Sequence, residues 1–126
     1  MEEVFYTEDH YWVSIENDIA TVGLTNFVLD NFNIISFVDL PQVSTVCSKT
    51  ELIGDIVYNE DEHFELYSPF SGEIVEVNDL LNDSPEQLFN YEKDNNWLFR
   101  IYINSPEELE DGLMSEEEYQ DFVENI

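Results

Sequence analysis

Basic residues are nearly missing from this 126-residue sequence: Lys49, Lys93 and Arg100 stand against 30 Asp and Glu, for a formal net charge of −27 at pH 7. Nucleic acids, anionic membranes and acidic substrates all need a basic surface to hold them, so no direct binding of these is expected. Cysteine is almost absent as well. Cys47 alone permits no intrachain disulfide and no cysteine-rich metal site, and beside Val46 it reads as a buried, inert thiol. No apolar run approaches the ~18 residues a membrane span requires. The opening Met1-Glu2-Glu3 lacks the basic region of a signal or transit peptide. The expectation is a soluble, cytoplasmic protein of a reducing compartment.

Against these absences stands ample material for a core, with 43% apolar and 14% aromatic residues. No linker, low-complexity segment or internal repeat interrupts it, so residues 1–126 are expected to form a single domain. Area scaling gives a folded surface of roughly 7,000 Å² for this mass, which spaces the net charges by about 16 Å if they spread evenly. That exceeds the ~10 Å screening length at 0.1 M salt, so only clusters of acids are costly. The acidity therefore has two readings, a solvated surface or a docking face for a basic partner.

Short strands dominate the hydrophobic periodicity. Tyr11 to Ile15 and Ile19 to Leu24 flank the turn Glu16-Asn17-Asp18, a hairpin signal. The apolar run from Ile34 to Leu40 stops at Pro41 and predicts a buried strand. Glu51 to Val57, Phe64 to Tyr67 and Glu73 to Val77 add three more, and Trp97, Phe99, Ile101 and Ile103 alternate most clearly. Helix starts are marked by Ser84-Pro85-Glu86-Gln87, Ser105-Pro106-Glu107-Glu108 and Ser115-Glu116-Glu117-Glu118, each with a capping serine. In the last of these helices Tyr119, Phe122 and Val123 share one face. A short helix from Asn26 to about Phe32 completes the prediction.

Several ordered motifs then carry a resemblance that periodicity cannot supply. Tyr6-Thr7-Glu8-Asp9-His10-Tyr11-Trp12-Val13, Thr21-Val22-Gly23-Leu24-Thr25-Asn26-Phe27, Phe37-Val38-Asp39-Leu40-Pro41 and Leu66-Tyr67-Ser68-Pro69-Phe70-Ser71-Gly72-Glu73-Ile74-Val75-Glu76-Val77-Asn78 follow one another. Asp83-Ser84-Pro85-Glu86, Trp97-Leu98 and Ser115-Glu116-Glu117-Glu118-Tyr119 continue the order. Together they resemble the H protein of the glycine cleavage system over nearly the whole chain. The resemblance implies a mainly β fold, the barrel-sandwich hybrid of lipoyl domains, with short N- and C-terminal helices. It also implies a carrier rather than an enzyme: a lysine at a hairpin tip bears lipoate, which receives an aminomethyl group from a decarboxylating subunit and presents it to an aminomethyl transferase.

The sequence departs from that pattern at the hairpin. Counting forward from Pro41 places Glu60 at the family's lysine, counting backward from Leu66 places Asp61 there, and residues 55–65 hold no lysine. An amide to lipoate needs an amine, so no cofactor is expected on this hairpin. The reading that follows is an H-protein-like, non-lipoylated interaction module, an accessory or regulatory protein whose Glu60, Asp61, Glu62 and Glu65 bind a basic protein surface. In one version it mimics a nucleic acid. The alternative is a working lipoyl carrier of the glycine cleavage system with an unusual attachment. Glu60, Asp61, Glu62, His63 and Glu65 match no calcium loop, lacking its ordered ligands and central glycine, so no metal is assigned. His10 is expected to make a structural hydrogen bond near Trp12. No nucleophile has a defined base and orienting partner, so no catalytic residue is named.

Overall fold

In the computed structural model, which describes residues 3–89, 96–105, 107 and 113–125, nine strands form two antiparallel sheets. The larger runs β1 (Glu3–Tyr6), β2 (Tyr11–Glu16), β3 (Ile19–Leu24), β9 (Trp97–Ile103), β8 (Gly72–Val77), β5 (Val46–Cys47). The smaller runs β4 (Ile35–Asp39), β6 (Leu52–Tyr58), β7 (Glu62–Tyr67). Short helices α1 (Asn26–Leu29), α2 (Leu80–Asp83) and α3 (Glu116–Glu124) and a 3₁₀ segment (Pro85–Phe89) join or flank the strands. This is the mainly β barrel-sandwich hybrid that the resemblance implies.

Pairing explains which residues turn inward. Val13 lies opposite Val22, Val22 opposite Phe99, and Phe99 opposite Val77, so one transverse row of side chains crosses four strands. Ala20, Ile101 and Ile74 form the next row. Ile35, Val38, Ile56 and Leu66 of the smaller sheet join them in a single buried cluster. Total accessible area is 7198 Å², close to what mass alone predicts. The opposite face of the large sheet carries Arg100, which donates to Glu76 at 2.6 Å and to Thr21 at 3.1 Å, and lies 4.3 Å from the centre of the Trp97 ring.

Several expectations are corrected here. The run from Ile34 to Leu40 forms an edge strand rather than a buried one: Ile35 and Val38 point inward, while Phe37 is 54% exposed. A register shift between Ile35 and Phe37 lets the strand show apolar side chains on both faces. Ser84 ends α2 instead of capping an α-helix, and Pro85 opens a 3₁₀ segment. The helix expected at Ser105 falls largely outside the described residues. Ser115 caps α3 as expected, its hydroxyl accepting from the Glu118 N–H at 3.2 Å while Glu118 accepts from the Ser115 N–H at 3.0 Å.

Candidate functional site

The tip of the β6–β7 hairpin is Asn59-Glu60-Asp61, closed where Tyr58 pairs with Glu62. Asn59 and Glu60 adopt φ of 45° and 78°, the left-handed conformation that such a tight reversal needs. Asparagine tolerates it well, and here its side chain also fastens the tip. Oδ1 of Asn59 accepts from the N–H groups of Asn33 at 2.8 Å and Ile34 at 3.2 Å, and its own N–H donates to the Ile34 carbonyl at 2.9 Å. Beneath it the Phe32 ring lies 4.2 Å from Tyr58 and 5.8 Å from Phe64, centre to centre. The reversal is thereby mounted on the α1–β4 connection instead of projecting free.

Glu60, Asp61, Glu62 and Glu65 are all exposed. The fold brings the first three together at the tip but separates the fourth. Strand alternation sends Glu62, Phe64 and Leu66 toward the core side and His63, Glu65 and Tyr67 to the outer face. There Glu65 lies opposite Asp55, which lies opposite Asp39, so three carboxylates stand in one transverse row. Like charges in register repel. His63 answers them: its Nδ1 is 2.5 Å from Asp55 Oδ2, and this hydrogen bond, then the Asp55 charge, with smaller contributions from Asp61 and Glu65, raises the imidazole above its usual range. Sequence reasoning missed Asp39 and Asp55 because their alignment depends on register between strands; the alternation of 63, 65 and 67 was the available signal.

Of the chain's two lysines, Lys93 lies outside the described residues. Lys49 precedes β6, with its N–H donated to Ser71 Oγ at 3.1 Å. The length of β6 separates it from the tip, roughly 20 Å at 3.3 Å per residue. It borders a depression with Glu8, Asp9, Ser68 and Phe70. Cys47 is buried as expected; burial pushes its thiol up despite the Ser68 hydroxyl at 3.3 Å.

His10 does make a structural hydrogen bond, but its partner lies 109 positions away: Nδ1 is 2.8 Å from the Tyr119 hydroxyl, which is also 2.8 Å from Thr25 Oγ1. One hydroxyl donates to one neighbour and accepts from the other, tying α3 to the start of α1. Burial lowers the His10 imidazole, opposed by Asp9. A lowered folded-state pKa means that this contribution is complete above the ordinary value of 6.5 and is lost as pH falls through the folded one. His63 works in the opposite sense, with stability lost as pH rises through its raised pKa. We expect imidazole NMR titrations to place His10 below and His63 above the ordinary value. Tyr119→Phe should cost about 1–2 kcal/mol, since it leaves Thr25 and His10 without their shared partner. Equal pKa values for the two histidines would contradict this assignment.

A family model described as Glycine cleavage H-protein matches residues 4–126. The glycine cleavage system H protein of Thermotoga maritima is 40% identical, covering 93% of each chain. That of Rhodospirillum rubrum is 37% identical over 98% of this chain and 97% of its own. The crystal structure of a glycine cleavage system H protein from Mycobacterium marinum superposes with a TM-score of 0.83 at 26% identity, covering 95% of both. These matches overturn the reading of the chain as an accessory or regulatory module bearing a non-lipoylated interaction surface. Relatives sharing nearly its full length are named as H proteins, which backs the carrier reading set beside it. The chain belongs to the glycine cleavage H-protein family.

Proposed function

We propose that this chain serves a glycine cleavage system as its H-type carrier component, one domain over residues 1–126, itself non-catalytic and cytoplasmic. The observation that carries the reading is the family match from residue 4 to residue 126. The mounted β6–β7 hairpin supports it, because a carrier domain must offer one element to several enzymes in turn.

Lipoate is the group this family implies, and the hairpin does not fit it. Its tip offers one side-chain amide and two carboxylates, none of which supplies the amine for an amide bond. Any lipoyl group on this chain sits on an amine elsewhere, and Lys49 is the described lysine. The exposed acids Glu60, Asp61, Glu62 and Glu65 are proposed as contacts for a basic surface on a partner enzyme of the system.

The test is reconstitution: the chain, expressed with a lipoate ligase and free lipoate, is added to the other glycine cleavage components lacking their own H protein. Glycine-dependent turnover that requires the added chain supports the proposal, and its absence overturns it. Intact-mass and peptide mapping of the same sample should place any lipoyl group on Lys49, Lys93 or the N-terminal amine.

A further inference from the structure

The small sheet leaves one strand edge open. β7 ends the order β4-β6-β7, so only one of its two sides is paired. Backbone groups along an antiparallel strand turn alternately to the two sides. The Ser68 N–H turns toward β6, donating to the Glu51 carbonyl at 2.9 Å, and the Tyr67 N–H turns away, donating to the Tyr11 hydroxyl at 2.9 Å. By that alternation the N–H and C=O groups of His63 and Glu65 also face away from β6. Among the described residues no other element supplies them with a backbone partner.

Sheet edges are usually guarded by proline, lysine, a bulge or extreme shortness. The other edges here follow that rule or are bridged: β5 has two residues, β4 carries a register shift and is followed by Pro41, and β1 is tied at Tyr6 to Met114. β7 has six residues with neither proline nor lysine, and its register is regular from Glu62 to Leu66. Its guard is charge. Glu62 and Glu65 are exposed along it, and Glu60 and Asp61 continue the charge at the tip. His63, the one group of opposite sign on the strand, is bonded to Asp55. In a chain of net charge −27, a second copy laid along this edge sets carboxylates against carboxylates. The charge therefore rejects self-pairing and selects a basic segment.

The inner flank of β7 supplies a second contact. Beside Glu62 and Phe64 lies a groove of about 440 Å³, walled by His10, Phe27, Phe32 and Tyr58. A strand added to a sheet edge sends alternate side chains to the two faces, so pairing gives affinity and the pockets on each face give specificity.

We propose that the free edge of β7 pairs with an extended segment of a protein partner, in which basic residues alternate with apolar ones. The basic side chains meet Glu65 on the outer face, and the apolar ones enter the groove. This rests on the proposed contact between the hairpin acids and a basic partner, and adds the form that the partner takes.

The probe is the peptide acetyl-Lys-Phe-Lys-Val-Lys-amide, titrated into the isotopically labelled chain and followed by NMR. Saturable shifts and slowed hydrogen exchange are expected at the His63 and Glu65 N–H groups, and added salt should weaken both effects. Glu65→Gln removes the charge and keeps the N–H, whereas Glu65→Pro removes both at an edge position where proline is tolerated. Glu65→Pro should bind about tenfold more weakly than Glu65→Gln, as loss of one hydrogen bond predicts. A second control leaves the protein untouched: the same peptide N-methylated at Phe, the central Lys and Val keeps every side chain and charge, and should lose binding. The scrambled peptide acetyl-Lys-Lys-Lys-Phe-Val-amide should bind more weakly than the alternating one. Equal binding by the methylated or scrambled peptide, or shifts without exchange protection at His63 and Glu65, would reduce the contact to charge alone and overturn the pairing. The carrier reading, judged by glycine-dependent turnover, stands or falls separately.

Discussion

Gly72→Ala is expected to destabilise the fold by about 3 kcal/mol or more, a large share of the roughly 5–15 kcal/mol by which domains are stable. Gly72 sits where β8 is held on both sides, opposite Ile103 of β9 and opposite Cys47 of β5. A Cβ built there lands 1.8 Å from the Tyr102 carbonyl oxygen and 2.9 Å from its carbon. Those atoms are backbone, and they cannot rotate out of the way. Relief requires β8 to move from β9, loosening the ladder that carries the Ile74–Ile101 and Val77–Phe99 pairs. Gly23 provides a comparison: there the added Cβ lands 2.4 Å from the ring of Trp12, a bulky side chain only 4% exposed, so Gly23→Ala should be costly as well. Chemical denaturation measures both. A Gly72→Ala midpoint close to wild type, with unchanged m-value, would show that β8 has slack the structure does not suggest.

The same pairings decide what the sequence made legible. The β2–β3 hairpin was readable because a local signal produces it: Asn17 and Asp18 take φ of 52° and 67° between two alternating strands. The α3 cap was readable for the same reason, since its donors and acceptors are three residues apart. β1, β5 and α2 were not anticipated. β5 contains only Val46 and Cys47 and exists because β8 offers it a partner. β1 likewise depends on β2 and on the Tyr6–Met114 bridge. At the hairpin, the exposed acids were legible because isolated carboxylates are not buried. Their division between tip and outer face, and the row of Asp39, Asp55 and Glu65 with His63 bonded to Asp55, follow from register across three strands. Asn59, which mounts the tip, gave no sign in the sequence of its contacts with Asn33 and Ile34. Motif order carried the fold, and it carried family membership further than the one departure at Glu60 and Asp61 suggested.

Charge reversal at the tip should have the largest effect on association. If the acids there meet a basic surface on a glycine cleavage enzyme, Glu60→Lys with Asp61→Lys replaces attraction by repulsion at the first point of approach. The encounter rate should fall about tenfold at low ionic strength, the range over which steering operates. Raising salt shortens the screening length from about 30 Å at 0.01 M to about 8 Å at 0.15 M, so wild type should slow toward the variant. Dissociation should change less, because side chains this exposed gain little from a desolvated contact. The variant should remain folded: Asn59 keeps its hydrogen bonds, and removing two carboxylates from a crowded acidic tip relieves repulsion. Stopped-flow association with each enzyme of the system, for wild type and variant at the two salt concentrations, gives the answer. Equal rates would move the docking surface away from the tip, and the exposed acids Glu116, Glu117 and Asp121 of α3 would be the next to reverse.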